Sequence, residues 1–136
     1  MSKIFTYQKK DKLKSRKQTQ FLFSNGKSIT SPPIKLLYTI EHDEAKNFVH
    51  GLLQAGVGAP SRYFRKAVQR NKVKRLLREG YRLEKPNFMN SLSLTNVRLN
   101  LFFLYIDVNV QSQQQIQGTI KILLEKLAVK LKSNAL

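Results

Sequence analysis

An α+β fold, with helices laid on a small mixed sheet, is what this sequence predicts, and three observations predict it. Apolar residues alternate at Ile34, Leu36, Tyr38 and Ile40, as a half-buried strand requires. The run Asn100-Leu101-Phe102-Phe103-Leu104-Tyr105-Ile106 is nearly all apolar and of strand length, the mark of a central strand covered on both faces. Two other stretches carry apolar residues at helical steps: Val73, Leu76, Leu77, Gly80 and Tyr81, then Ile116, Ile120, Leu123, Leu124, Leu127 and Leu131. The order reads helix, strand, strand, helix, strand, helix, with room for one further short strand around residues 26–32. Helices gathered on one side of such a sheet make a two-layer α/β sandwich.

Each element has its own local signals. Residues 1–12 are polar and lysine-rich and read as a flexible basic arm, leaving 13–136 as a single domain. A short basic helix is expected from Leu13 to Phe23, with Leu22 and Phe23 facing inward. Asn25-Gly26 stops it, since glycine tolerates the left-handed turn that ends many helices. Ser31-Pro32-Pro33 forbids helix and leads into the strand at 34–40, and the polar segment Glu41 to Asn47 reads as a loop. Val49 to Ala59 is extended, with three glycines that signal a bulge or a tight backbone approach. Pro60-Ser61 breaks that strand, Ser61 is a candidate cap, and a helix is expected from near Tyr63 to Leu83. Lys85-Pro86-Asn87 should end it, with 87–96 as loop before the last strand and helix.

The 136 residues hold 41% apolar side chains, enough for one compact core and too many for a disordered tail. No cysteine is present, which excludes a disulfide framework and any thiolate zinc site. No apolar run is long enough to span a membrane, and Met1-Ser2-Lys3-Ile4-Phe5 opens no apolar leader, so the expected location is cytoplasmic. The formal charge is +17, and it is placed rather than spread. Residues 1–35 hold nine basic and one acidic side chain, residues 62–85 hold ten and two, and the rest of the chain is nearly neutral. Two cationic segments on a near-neutral body point to a polyanion, which for a cytoplasmic protein usually means nucleic acid.

The second segment is the informative one. Arg70, Lys74, Arg78 and Arg82 recur every fourth residue along one flank of a helix, and Asn71, Lys72 and Arg75 widen the cationic surface. Like charges at this spacing cost roughly 0.2–0.5 kcal/mol per pair, and Glu79 alone cannot offset them. A solvated helix face normally mixes both signs; this one does not. Arginine suits phosphate through its planar fork of donors, and Asn71 offers an amide to a base edge, a ribose or the backbone.

The stretch Lys66-Ala67-Val68-Gln69-Arg70-Asn71-Lys72-Val73-Lys74-Arg75-Leu76-Leu77-Arg78-Glu79-Gly80-Tyr81-Arg82 resembles the signature helix of the protein subunit of bacterial ribonuclease P, with Lys72 in place of the second Arg of an Arg-Asn-Arg core. Leu22-Phe23 followed by Gly26-Lys27-Ser28, the strand from Ile34 to Tyr38 and the final strand and helix are similar too, so the likeness covers residues 13–132. Pro60, Tyr63 and Arg65 depart from the family pattern at the entry to the helix. The resemblance implies an α/β sandwich with a left-handed crossover and a single RNA-binding domain. It implies a subunit that joins the catalytic RNA of ribonuclease P to remove the 5′ leader of precursor tRNA, as part of a ribonucleoprotein endonuclease (a hydrolase). By the same resemblance, Arg70, Asn71, Lys72, Lys74, Arg75, Arg78 and Arg82 would dock on the catalytic RNA. Phe23, Tyr38 and Phe64 would line a cleft for the single-stranded leader, and Arg16, Lys27, Arg62 and Lys66 would meet its phosphates. For the three aromatics, core packing is the competing reading.

No catalytic residue and no metal ligand is expected of the protein itself. A two-metal nuclease needs several converging carboxylates, and the chain has eight acids, of which Glu41, Asp43 and Glu44 cluster in a surface loop with His42 nearby and His50 beyond. No phosphate-cradling Gly-rich loop or Ser/His/Asp arrangement is present. In the family the resemblance points to, Mg²⁺ is the cofactor and the RNA holds most of it. The expected partners are ribonuclease P RNA and precursor tRNA, with no membrane and no DNA. A ribosomal or other structural RNA-binding protein is the alternative, which would need only scattered Lys and Arg. A DNA-binding regulator would place a helix and a short turn ahead of the basic helix, where this chain has a strand.

Overall fold

The computed structural model describes residues 16–42, 52–91 and 97–134. The basic arm at 1–12, most of the loop expected from Glu41 to Asn47, His50 and the segment 92–96 lie outside the described residues. The elements are α1 (Arg16–Asn25), β1 (Lys27–Ser31), β2 (Ile34–His42), β3 (Leu52–Gly58), α2 (Ala67–Asn90), β4 (Val97–Tyr105) and α3 (Gln113–Asn134). They form a mixed four-stranded sheet in the order β1-β2-β4-β3, so the α+β expectation holds. The optional strand at 26–32 is β1, paired antiparallel to β2 across Pro32-Pro33, whose peptide bond is cis.

The sheet is built on β4, which pairs antiparallel with β2 and parallel with β3. Register puts Ile34, Leu36, Tyr38 and Ile40 opposite Tyr105, Phe103, Leu101 and Leu99. In β3, Leu53, Ala55 and Val57 lie opposite Leu99, Leu101 and Phe103. Because paired residues share a face, these side chains make one apolar surface. Against it pack Val73, Leu77, Tyr81 and Phe88 of α2 and Ile116, Ile120, Leu123, Leu124 and Leu127 of α3. All six α3 positions expected from the periodicity are buried or packed on the core. Ser112 and Gln115 start α3 as a capping box: the Gln115 N–H donates to Ser112 Oγ at 3.2 Å, and the Ser112 N–H donates to Gln115 Oε1 at 3.1 Å. Tyr105, buried at the end of β4, donates its hydroxyl to the Asn109 carbonyl at 2.5 Å and accepts the Gln111 N–H at 3.0 Å, which ties down the turn leading into α3.

Three local expectations are corrected. The helices are not all on one side: α1 packs on β2 and β4 from the face opposite α2 and α3, with Phe23 set against Phe102 rather than against the main core. A helix can take that face because residues 35, 37, 39, 100, 102 and 104 alternate away from the core and still include Leu37, Phe102 and Leu104. Next, α2 starts at Ala67 rather than near Tyr63, and its cap position is Lys66, not Ser61. The Tyr63 and Phe64 N–H groups instead donate to the Pro60 carbonyl at 3.1 and 3.2 Å, closing a turn that sinks Phe64 into the core before the helix begins. Finally, α2 runs through Pro86 to Asn90. A proline inside a helix costs about 3 kcal/mol, yet continuing one more turn buries Phe88, and Ser91 closes the end by donating its Oγ to the Phe88 carbonyl at 2.7 Å.

Gly26 ends α1 for a reason other than the one expected. No described glycine has a positive φ. A Cβ at Gly26 would stand 2.3 Å from the Leu22 carbonyl oxygen, which already accepts the Gly26 N–H at 2.8 Å, and 3.2 Å from the Tyr38 carbonyl oxygen. The requirement is close approach of backbone to backbone. Gly26→Ala is therefore expected to destabilise the protein by about 1–3 kcal/mol in urea unfolding, because the atoms it meets are main chain and cannot rotate away. A midpoint unchanged from wild type would contradict the contact.

Candidate nucleic-acid interface

Burial of Val73, Leu77, Gly80, Tyr81, Glu84, Lys85 and Phe88 fixes which way α2 turns. With about 100° per residue, that leaves Asn71, Lys72, Arg75 and Arg78 on the outer surface, all exposed, with Lys74 half-buried at its edge. A Cβ at Gly80 would lie 2.8 Å from Ile120 Cδ1, so the two long helices are pressed together where α2 has no side chain.

The charges on this surface are largely uncompensated. Arg82 and Glu79 form a salt bridge at 2.5 Å, with a second contact from Arg82 Nε to Glu79 Oε2 at 3.0 Å. The Arg82 hydrogen bond holds the Glu79 carboxyl below its ordinary value, against a smaller upward push from desolvation. Lys72, Lys74, Arg75 and Arg78 have no acid within salt-bridge reach among the described residues. Arg70 differs from its neighbours in the motif: its Nη1 donates to the Phe64 carbonyl at 2.9 Å and to the Arg65 carbonyl at 2.7 Å. The run thus divides into a tied Arg70, a paired Arg82 and a set of outward cations between them.

The expected leader-cleft residues separate into two groups. Tyr38 and Phe64 are corrected: both are 3% exposed within the main core, Phe64 against Tyr105 at 5.8 Å between ring centres, and neither offers a face to a base. Burial pushes the Tyr38 phenol above its ordinary value. Phe23 is 50% exposed, its ring edge-on to Phe102 at 5.0 Å. Lys27, Arg62 and Lys66 are exposed, with the Arg62 guanidinium 4.9 Å from the Tyr63 ring centre. Arg16 opens α1, and its side chain is outside the described set.

The sequence reading missed Phe102 and Lys35. Both are half-buried on the α1 side of the sheet, Phe102 under Phe23 and Lys35 opposite Leu104. The signal was in β3. Gly56 and Gly58 occupy alternate positions after Gln54, so this end of the β3 edge carries no side chain on this face. A Cβ at Gly58 would meet the Phe102 ring at 2.7 Å, so the glycine is what lets that ring lie down on the sheet. Beyond Gly58 the chain turns at Pro60 into the segment bearing Arg62, Arg65 and Lys66. The result is a half-exposed aromatic pair on a glycine-lined sheet edge, with cations on the elements around it. Among the described residues no group of three His, Cys, Asp or Glu side chains is placed to hold a metal ion, and the acids and histidines at 41–50 are not among the described side chains. No helix among the described residues is long and apolar enough to cross a membrane.

Fold and surface together define a small α+β protein that carries an exposed cationic helix face. Residues 7–128 match the ribonuclease P protein family model. A ribonuclease P protein component from Porphyromonas gingivalis is 26% identical over 132 residues, spanning 97% of this chain and 93% of that one. Among solved structures, the ribonuclease P protein of Thermotoga maritima superposes with a TM-score of 0.62 at 19% identity, covering 85% of this chain and 96% of that one. That of Staphylococcus aureus gives 0.61 at 17% identity, covering 86% and 94%. The chain belongs to the ribonuclease P protein family.

Glu79 is the one acid that tempers the cationic face, and its removal has a definite expected effect. Glu79→Gln should remove the negative charge paired with Arg82 and steepen the dependence of log affinity on log salt for a structured RNA by about one counterion. Because the pair is partly exposed, melting temperature should hardly move. An unchanged salt slope in filter binding would mean that Arg82 stays away from the RNA.

Proposed function

We propose that this chain acts as the protein subunit of ribonuclease P, promoting Mg²⁺-dependent endonucleolytic removal of the 5′ leader from precursor tRNA. The observation that carries the proposal is the outer face of α2, where Lys72, Lys74, Arg75 and Arg78 stand with no acidic partner among the described residues. Phosphates of the catalytic RNA are the counter-charge that such a surface lacks, and each one neutralised releases condensed counterions. Asn71 and Arg82 extend the same surface.

The α1 face is assigned to the substrate. A single-stranded leader passing over it would stack a base on Phe23 and meet Lys27, Lys35, Arg62 and Lys66 through its phosphates. Phe102 braces Phe23 from below. Tyr38 and Phe64 stabilise this arrangement from inside the core. The hydrolytic chemistry is assigned to Mg²⁺ held mainly by the RNA, in the cytoplasm, and no protein group is given a proton-transfer role. What the chain contributes is electrostatic: it lowers the repulsion between two polyanions that must come together.

The deciding experiment is cleavage of a 5′-labelled precursor tRNA by the cognate catalytic RNA at low Mg²⁺, with and without the protein, and with protein alone. Stimulation at the mature 5′ end, with no cutting by protein alone, is expected. Tight, salt-sensitive RNA binding without stimulation would favour a ribosomal or structural RNA-binding role instead.

Two variants test the two faces separately. Changing Lys72, Arg75 and Arg78 together to Ala should leave circular dichroism intact and cut the salt slope of RNA assembly by about three counterions. Phe23→Ala should weaken binding of precursor tRNA to the holoenzyme by about tenfold or more, and of mature tRNA far less, since one base–aromatic stack is worth about 1–3 kcal/mol. Equal losses for both tRNAs would assign Phe23 to packing alone.

A further inference from the structure

Arg70 belongs by sequence to the row of cations on α2, yet its guanidinium turns back toward the chain that precedes the helix. One nitrogen, Nη1, donates to two consecutive carbonyls, of Phe64 and Arg65, while the side chain is half-buried. Those carbonyls belong to the short segment between β3 and α2. It is fixed at its other end by the Tyr63 and Phe64 N–H groups on the Pro60 carbonyl, and at its middle by Phe64 in the core against Tyr105. The three cationic side chains of the segment stay outside: Arg62, Arg65 and Lys66, all exposed. No other side-chain hydrogen bond is seen to the carbonyls of residues 64 and 65 among the described residues.

We infer that Arg70 is a positioning residue: it ties the Pro60–Lys66 segment to the first turn of α2 and so presents Arg62 and Arg65 as a rigid cationic pair to RNA. A guanidinium is suited to this because it stays charged at any working pH and offers donors in a fixed plane, so it can bridge neighbouring carbonyls without losing much further freedom. Without the tie, the entry segment keeps the Pro60 turn, the packing of Tyr63 and Phe64 and the helix bonds to the Lys66 carbonyl, but the carbonyls of residues 64 and 65 lose their side-chain anchor and the two arginines their fixed spacing. This goes beyond the role given to the outward cations, where each side chain meets phosphate by itself, and it rests on the RNA-binding reading for its functional half only.

The test uses the full chain as wild type, Arg70→Ala, Arg70→Lys, Arg62→Ala/Arg65→Ala and the combination of Arg70→Ala with that pair. The first measurement needs no RNA. Amide hydrogen exchange at Tyr63 and Phe64 should quicken by about tenfold or more in Arg70→Ala, the effect of losing a charge-assisted hydrogen bond, while amides in the rest of α2 stay protected. Arg70→Lys keeps the charge and loses the planar fork, so it should quicken the same amides and guards against a folding failure in the alanine variant. The second measurement is affinity for the catalytic RNA across salt. Positioning predicts that the losses from Arg70→Ala and from the Arg62/Arg65 pair fall short of adding in the combined variant, and that Arg70→Lys does not restore binding. Additive losses, or full restoration by Lys, would make Arg70 one more direct phosphate contact and overturn the inference. Unchanged exchange at Tyr63 and Phe64 would overturn it too. Failure of the wild type to bind RNA would sink the proposed function, and exchange would then still decide whether the tie exists.

Discussion

The structure depends on the burial of one stripe of α2. Val73, Leu77, Tyr81 and Phe88 lock the helix onto the sheet and onto α3, with Tyr81 against Phe103 at 5.5 Å between ring centres. The opposite surface repels itself: several cations stand at helical neighbour spacings with one acid among them. In isolation a helix so charged would be disfavoured by a few tenths of a kcal/mol for each like pair. Each large apolar side chain buried is worth about 1.5–3 kcal/mol, so the stripe easily outweighs the repulsion and holds the charge in place. The fold therefore supplies the stability, and the surface is left free to be electrostatically unfavourable.

The same division runs through the sheet. Its core face runs from Ile29 through Leu36, Phe103 and Leu101 to Ala55, all buried, with Ile40 and Val57 partly buried beside them. The other face is covered by one short helix and is thinned along β3 by Gly56 and Gly58. A single β4 serves both: Leu101 and Phe103 point to the core, while Phe102 between them lies half-exposed beneath Phe23. Strand alternation alone makes this possible, since adjacent residues of one strand must take opposite faces. Placing an aromatic platform on the back of the main core lets the core fix its height and tilt.

Legibility in the sequence followed physical range. Periodicity reports on contacts that repeat every second residue or every third to fourth, so β2, the buried stripe of α2 as far as Tyr81 and the apolar positions of α3 from Ile116 to Leu131 could be read from it. The cationic helix and its family resemblance were equally legible, because they are local and long. What failed depended on partners far along the chain. Phe23, Tyr38 and Phe64 are alike as aromatic residues, and only the sheet register and the turn at Pro60 decide that two are core and one is exposed. Phe102 was hidden inside a run that looked buried on both faces, and the glycines that uncover it lie on another strand. Pro86 misled because a local rule, that proline ends a helix, competes with the burial of Phe88 two residues on.

Arg70 shows why the motif cannot be read as a uniform row of phosphate ligands. A row at i, i+4 assigns one role to every member, but the first turn of a helix has a neighbour that later turns lack, namely the chain that leads into it. At that end the nearest unsatisfied acceptors are the entry carbonyls, and an arginine four residues in is long enough to reach them. At the other end the nearest acid is Glu79, and Arg82 takes it. Only the middle of the row, from Lys72 to Arg78, lacks a local competitor among the described residues. The division of labour within the motif thus follows from where each side chain falls along the helix, and the positions with the fewest intramolecular options are the ones left exposed without a counter-charge among the described residues.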